Sequence, residues 1–350
     1  MTVWLAPAGL ADTLRLATFH TELERDGPGL LLRDILRGTD PQVLAVAAVI
    51  ARSRADIIVL QGMDYDLDLL ALSALRDSIA HQGTDYPHIF ALRPNTGMPT
   101  GQDMDGDGRR GDASDRQGYG AFSGQGGMAI LSRYPIDAAK VQDFSGLLWV
   151  DLPGALLPVW NDAPFPSPQA QAVQRLSSVG HWVVPVILPT GPFHILTFHA
   201  TSPVFDGPED RNGRRNHDET RFWQLYLDGA FGPAPDGRFA LLGAINLSPS
   251  EGEGLKAPLL GLLSDPRMQD PRPRRAVPPP PDPKRRTDPA LDTVYWPPPG
   301  PGPRRVDYIL PSADLKLHGA GVDWPALGDA LAAVETASRH RLVWVDVAVP

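Results

Sequence analysis

Short apolar runs that each end at a polar residue are the feature that most constrains the fold of this chain. The first run covers 14–20 and is followed by an amphipathic segment at 40–54. The second covers 55–62 and is followed by an amphipathic segment at 69–80. Apolar strand runs and helically spaced apolar residues therefore alternate along the chain. This order of strand, helix, strand and helix predicts a layered α/β sheet.

Further strands are predicted in the rest of the chain. Two apolar segments, 181–188 and 193–199, are joined by a turn that contains Pro and Gly, which predicts a hairpin. A strongly polar stretch at 211–219 leads into a predicted helix at 219–227. The remaining predicted strands cover 128–132, 240–245, 305–310 and 341–347.

Composition limits the classes of partner. The formal net charge of −9 argues against long duplex nucleic acid, because binding it requires a broad basic surface. The absence of cysteine excludes disulfides and zinc–thiolate sites. No apolar run approaches the roughly 20 residues that a membrane span needs. The first eleven residues lack the features of an intact signal peptide. A cytoplasmic location and, if a leader has been trimmed, a periplasmic or secreted one both stay open, as does the oligomeric state.

We expect a single domain that covers 1–350 and carries two unusual loops. The first, at 93–127, is rich in Gly and Asp. The second, at 271–303, contains 13 prolines, which interrupt any periodicity and predict an extended loop rather than a separate domain. Trp296 in this second loop is expected to pin it to the rest of the molecule, with a place in the substrate groove as the alternative.

The Gly- and Asp-rich loop contains the first half of a calcium-binding pattern. Asp103, Asp105 and Asp107 stand at alternate positions and are followed by Gly108. Calcium needs several oxygen ligands that a tight turn brings together, so we predict a Ca²⁺ site within 103–115. Ser114 stands where the pattern expects a bidentate Glu. A solvated acidic turn is the alternative.

Six short motifs lie near the ends of the predicted strands. They are LATFH at 16–20, DIIVLQ at 56–61, LTFH at 196–199, GAIN at 243–246, RVDY at 305–308 and SRH at 338–340. In this order the motifs resemble the endonuclease/exonuclease/phosphatase superfamily, which has the DNase I-like fold. The resemblance implies a four-layered α/β sandwich of two mixed sheets flanked by helices. It also implies hydrolysis of a phosphodiester or phosphomonoester with a divalent metal, Mg²⁺ or Mn²⁺.

The resemblance assigns catalytic roles to four residues. His199 corresponds to the strand-end His of the family, and Asn246 to the Asn of its Gly-Asp-x-Asn motif. His340 corresponds to the late His that contacts phosphate, and Asp307 to its orienting partner. Without the resemblance, a buried core position is the favoured interpretation of both histidines, and Asn246 is equally compatible with a cap on its own loop.

The chain also departs from the family at the metal site. The usual Glu ligand is replaced by Gly62, the water-aligning Asp by Ala244, and the Asp before the final His by Arg339. His20 stands where the family usually has Asn. We expect His20 and Asp64 to hold the metal, because Asp64 lies two residues after Gly62 and shares its strand face.

Two arginines, Arg215 and Arg339, are predicted to bind phosphate, although a polar stretch like the one around Arg215 is most often a solvated helix start. The sequence therefore predicts a metal-dependent phosphoesterase that acts on a small phosphorylated substrate and whose turnover is impaired by the lost carboxylates. The alternative is a catalytically silent descendant that binds a phosphorylated ligand or a protein partner.

Overall fold

The computed structural model describes residues 12–283 and 285–349, so the first eleven residues and the prediction about a signal peptide lie outside it. Fifteen strands are present in the described part: β1 (Asp12–Leu23), β2 (Ile57–Met63), β3 (His88–Phe90), β4 (Gly127–Ser132), β5 (Gln142–Asp143), β6 (Val159–Trp160), β7 (Ala163–Pro164), β8 (His181–Leu188), β9 (Gly191–His199), β10 (Phe239–Ala244), β11 (Val294–Trp296), β12 (Gly302–Arg304), β13 (Asp307–Pro311), β14 (Leu317–Val322) and β15 (Val343–Val349). The α-helices of the same part are α1 (Leu30–Arg37), α2 (Pro41–Ser53), α3 (Leu70–Ala80), α4 (Pro168–Val173), α5 (Arg211–Leu227), α6 (Ala257–Ser264) and α7 (Gly328–Ala337).

Two mixed sheets form the centre of the molecule. The first has the strand order β14-β15-β1-β2-β4-β3, with β1 parallel to β2 and antiparallel to β15. The second has the order β13-β10-β9-β8-β5, with β10 parallel to β9 and antiparallel to β13. The hairpin predicted from the Pro- and Gly-containing turn is confirmed, since β8 and β9 pair antiparallel along their whole length.

Three apolar layers separate the sheets and helices. One core lies between the two sheets and contains Leu16 of β1 and Ile195 of β9. A second packs helices such as α2 against the outer face of the first sheet, and a third packs α5 and α6 against the outer face of the second. The result is the predicted four-layered sandwich of two mixed sheets flanked by helices.

Helix α5 begins earlier than the sequence predicted. The predicted start was residue 219, but the helix extends back to Arg211 through the polar stretch. The prediction was wrong because Arg215, Asn216, Asp218 and Glu219 are buried and are not on a solvated face. Helices α1, α6 and α7 were also not identified from the sequence.

The described residues of the proline-rich segment, 271–283 and 285–303, are largely irregular and hold only a short 3-10 turn at Pro289–Leu291, β11 and the first residues of β12. Strands β11 and β12 pair with each other outside the two main sheets. Among the described residues, no helix is both long and apolar enough to cross a membrane.

Candidate active site

Strand periodicity directs two histidines into the space between the sheets. On β1, Leu14 and Leu16 lie in the inter-sheet core, and because side chains alternate along a strand, His20 lies on the same face. On β9, Ile195 lies in that core, which places His199 on the inter-sheet face in the same way. His20 lies three residues before the end of β1, and His199 is the last residue of β9. Their rings meet at one end of the sandwich.

The neighbouring strands bring two further positions to this place. Ala244 at the end of β10 pairs with His199 on one side and with Asp307 on the other. Residues that are paired across strands share a sheet face, so the three side chains are neighbours. Ala244 is completely buried and supplies no carboxylate at the position where the resemblance implies one.

Three imidazole rings meet at this end of the sandwich. The rings of His20 and His340 are stacked with centroids 4.4 Å apart, and His199 meets the His20 ring edge-on at 4.8 Å. The Nδ1 atoms of His20 and His199 are buried without a hydrogen-bond partner. Burial lowers the pKa of His199 to about 3, with the charge of nearby His340 as a lesser cause. Burial likewise holds the pKa of His20 well below its usual value, so both rings are neutral at neutral pH.

His340 is oriented by a buried carboxylate. Its Nδ1 lies 3.0 Å and 3.1 Å from the two carboxylate oxygens of Asp307. Thr293 donates its hydroxyl hydrogen to Asp307 at 2.7 Å, and the ring of Trp296 lies edge-on to His340 at 5.8 Å. Trp296 thus contacts the site itself and does more than pin its loop. Both Thr293 and Trp296 belong to the proline-rich loop at 271–303. Thr293 was not identified from the sequence.

Glycine at position 62 is required by the ring of His20. A Cβ atom on Gly62 would lie 2.5 Å from Cε1 and 2.9 Å from Nδ1 of His20, and Gly62 also has a φ of 63°. An L side chain at position 62 would be strained by this backbone and would clash with the ring. The two departures from the family, His20 and Gly62, are therefore one coupled change.

Glu22 is a candidate ligand that the sequence analysis missed. One oxygen of Glu22 and one ring nitrogen each of His20 and His340 lie within 4.8 Å of one another. The carboxylate also accepts hydrogen bonds from the backbone and side chain of Arg339, both at 2.7 Å. Burial favours a higher pKa for Glu22, but the bonds from Arg339 outweigh it and the pKa is lowered. Its signal in the sequence was weak, because Glu22 stands two residues after His20 but a β-bulge interrupts the regular alternation between them.

Asp64 occupies a different position from the one predicted. Its two oxygens accept hydrogen bonds from the backbone amides of Arg25 at 2.9 Å and Gly126 at 3.0 Å, so it joins two loops. Burial raises the pKa of Asp64 to about 6. The carboxylate adjacent to Gly62 is instead that of Glu24, whose Oε1 lies 3.1 Å from the point that a Cβ at position 62 would take.

Glu24 is exposed as a residue, but its carboxylate packs against the backbone. A Cβ on Gly126 would lie 2.8 Å from Oε1 of Glu24. This shielding, together with the negative charges of Asp64 and Glu22, raises the pKa of Glu24 to about 7. The sequence analysis did not identify Glu24.

The two remaining predicted site residues have different surroundings. Asn246 lies just beyond β10, and its side-chain nitrogen donates to the carbonyl of Ala200 at 2.8 Å, so its amide oxygen is the group that can face a ligand. Arg215 is buried in α5 and donates to backbone carbonyls, including those of Leu176 at 2.9 Å and Gln117 at 2.6 Å. The structure therefore does not bring Arg215 to the histidine cluster, and its guanidinium is held by the main chain.

In the Gly- and Asp-rich loop, one carboxylate oxygen each of Asp103, Asp105 and Asp115 lies within 4.8 Å of the others, and Asp105, Asp107 and Asp112 form a second such group. The oxygens of Asp115 accept hydrogen bonds from the backbone amides of Met104 at 2.7 Å and Gly111 at 2.5 Å. Asp115, adjacent to Ser114, thus closes the loop where the calcium pattern lacks its Glu.

Comparison with known proteins decides the family. The model of the Endonuclease/Exonuclease/phosphatase family matches residues 33–340, which is most of the chain. The chain belongs to this family. No curated protein is significantly similar to it in sequence.

Solved structures of the endonuclease/exonuclease/phosphatase family share the fold. The protein from Beutenbergia cavernae is 16% identical with a TM-score of 0.53, over 96% of this chain and 72% of that one. Family proteins from Bacteroides thetaiotaomicron (13% identical, TM-score 0.52, 96% and 97% covered) and Leptotrichia buccalis (14%, 0.52, 95% and 99%) are similar to the same extent. At these identities the likeness concerns the fold.

Endonuclease/exonuclease/phosphatase proteins generally use a divalent metal, and the histidine cluster fits one in this chain. The buried Nδ1 atoms of His20 and His199 have no protein partner, and buried polar atoms without partners are uncommon in proteins. Glu22 supplies a carboxylate beside two of the rings. The donors are mainly nitrogens, because Gly62 and Ala244 supply no ligand atom.

Proposed function

We propose that this protein hydrolyses phosphoric esters with the aid of a divalent cation. The observation that carries the proposal is the pairing of His340 with Asp307 inside a cluster that also contains His20 and His199. Asp307 accepts the hydrogen of Nδ1, which fixes the ring of His340 and leaves its Nε2 as the nitrogen available to a ligand. The proposed catalytic residues are His199, Asn246, Asp307 and His340.

The cation would be held by His20, Glu22 and His340, and when bound it would neutralise negative charge on the phosphoryl oxygens. Mg²⁺ is the usual metal of the family and Mn²⁺ the other candidate. The guanidinium of Arg339, whose side chain is 59% exposed, is proposed to share its charge between Glu22 and the phosphate. Asp64 and Arg215 are not part of the proposed site, because backbone groups engage them elsewhere.

A small phosphorylated compound is the proposed substrate, since the net charge of −9 disfavours a long polyanion. We expect slow turnover, because Ala244 supplies no carboxylate to align the attacking water. Loss of such a group commonly costs a factor of about 10²–10⁴ in rate.

Hydrolysis of bis(p-nitrophenyl) phosphate, with and without a chelator, tests this proposal. We expect hydrolysis that needs added Mg²⁺ or Mn²⁺ and that falls by about 10²-fold or more in His340→Ala and His199→Ala. His194→Ala is the matched control, because His194 lies on the same strand as His199 but pairs in register with Phe239 at the opposite end of β10. Equal rates in all four proteins would show that the proposed site is wrong.

A ligand-binding protein without turnover is the second candidate. The observation that favours it is the ion pair between Arg339 and Glu22, with Nη2 2.5 Å from the carboxylate, because a fixed cation can replace the charge of a metal. Calorimetry would support this candidate if a phosphate ester bound equally well with chelator present and no product formed.

We also propose that the Gly- and Asp-rich loop binds Ca²⁺ through Asp103, Asp105 and Asp107, joined by Asp115. The grouping of Asp103, Asp105 and Asp115 within 4.8 Å supports this second site, and Asp107 lies in an adjoining group with Asp105 and Asp112. CaCl2 is expected to raise the melting temperature of the wild-type protein and to have no effect on Asp105→Asn. Asp85→Asn, which alters an exposed Asp outside the loop, is the control. A wild-type melting temperature that does not change when CaCl2 is added would contradict the proposal.

A further inference from the structure

The metal site has exchanged a carboxylate for an imidazole. The related fold usually has Asn and Glu where this chain has His20 and Gly62. The ring of His20 occupies the space that a side chain at position 62 would enter, as the 2.5 Å approach of a Gly62 Cβ demonstrates.

The other side chains around the His20 ring also favour nitrogen over oxygen as the ligand atom. Ala244 supplies no ligand, whereas His199 and His340 lie with their ring centroids 4.8 Å and 4.4 Å from that of His20. Among the described residues, Glu22 is the one carboxylate that groups with ring nitrogens of both His20 and His340. Hard Mg²⁺ prefers carboxylate and water oxygens, while imidazole suits zinc and other first-row transition metals.

The surroundings of His340 are also those of a metal ligand. Metal-binding histidines commonly donate their second ring nitrogen to a carboxylate, which fixes the ring. Asp307 accepts from Nδ1 of His340, and Thr293 in turn donates to Asp307. His20 has no such partner, and its buried Nδ1 is free to bind a cation.

We infer that this cluster binds a transition metal of the zinc class, through His20, His340 and Glu22, in preference to magnesium. Zinc accepts two histidines and one carboxylate together and keeps a further position open. The inference rests on the proposed function in placing the cation at the same cluster, but it concerns the identity of the metal and not turnover.

Metal binding by the chelator-treated full chain, in the absence of substrate, tests the inference. Co²⁺ serves as the spectroscopic probe, and Zn²⁺ and Mg²⁺ affinities are measured by calorimetry. We expect visible Co²⁺ d–d bands of a nitrogen-containing site and Zn²⁺ binding at least about tenfold tighter than Mg²⁺ binding. His20→Asn should weaken Zn²⁺ binding at least about tenfold. His340→Asn is the second variant if His20→Asn does not fold, and His194→Asn is the control.

Two results would overturn the inference: equal affinity for Zn²⁺ and Mg²⁺ in the wild-type protein, or Zn²⁺ affinity that is unchanged in the folded His20 or His340 variant. A protein that binds Zn²⁺ as expected but hydrolyses no ester would support the inference and remove the hydrolase proposal. Hydrolysis that depends on Mg²⁺, in a protein without preference for Zn²⁺, would do the reverse.

Discussion

The first half of α5 and the histidine cluster both bury polar side chains, but they differ in how those groups are satisfied. In α5 the carboxylate of Glu219 accepts from the backbone amides of Ser178 and Thr201, both at 2.6 Å. In the cluster, the Nδ1 atoms of His20 and His199 have no protein partner. Charged groups with fixed main-chain partners hold the fold together, whereas two unpartnered ring nitrogens at the point where three imidazoles meet indicate a place for a ligand.

The largest expected effect is a loss of stability in the first half of α5, where the carboxylate of Glu219 has main-chain partners. Glu219→Ala leaves two buried backbone amides unpaired and removes the negative charge near Arg215, so we expect the free energy of unfolding to fall by about 3–5 kcal/mol. Urea unfolding followed by circular dichroism measures it. His199→Ala is the comparison variant and should lose far less stability, because its ring nitrogen has no partner to abandon. Equal losses in the two variants would remove the distinction between the regions.

A second prediction uses His181, a buried histidine that packs on α5. Its Nε2 lies 3.0 Å from the carbonyl oxygen of Glu219, and its ring stacks on Trp223. Burial lowers the pKa of His181 to about 4, and the positive charge of Arg215 acts in the same direction. The unfolded chain therefore takes up the proton first as the pH falls.

The contribution of His181 to the free energy of unfolding should accordingly be constant above about pH 6.5. It should decrease by a few kcal/mol in total as the pH falls towards 4. Urea unfolding at pH 7 and pH 5 measures the decrease. In His181→Asn the decrease should be smaller, with the remainder due to groups such as His199. An identical pH dependence in both proteins would exclude His181 as a cause.

The smallest of the three effects, about 2.7 kcal/mol in activation free energy, is expected for Ala244→Asp. This change would place a carboxylate between His199 and Asp307 and should raise Mg²⁺-dependent hydrolysis by about 10²-fold. Ala244→Ser is the matched control, since it adds a polar atom without charge. The rate of bis(p-nitrophenyl) phosphate hydrolysis at saturating MgCl2 measures it. A folded Ala244→Asp protein without any gain would mean that more than this acid is missing.

Much of the fold could be predicted, because alternation and helical spacing follow from the burial of one face. The ends of β9 and β10 and the hairpin are local features of this kind. The start of α5 could not be predicted, since the buried charge of Arg215 is satisfied by carbonyls from a segment about 40 residues away. Tertiary partners of this type leave no trace in the local pattern.

For the candidate site, the motifs located the histidines but not the relations between them. Gly62 depends on His20 because a Cβ at position 62 would clash with the His20 ring on the adjacent strand. In the sequence these appear only as two separate substitutions. Glu22 was missed because a β-bulge, with a φ of 52° at that residue, interrupts the pairing between His20 and Leu23.

The proline-rich segment has a consequence for protein engineering. Ion pairs of Arg285 with Glu251 at 2.8 Å and with Asp292 at 2.5 Å hold the middle of this segment in place. Thr293 and Trp296 come shortly after it in the chain. Shortening this stretch as a dispensable surface insertion would remove Thr293 and Trp296, which contact Asp307 and the His340 ring. Chimeras and minimised versions of this protein should therefore keep 285–296 intact and place their junctions before it.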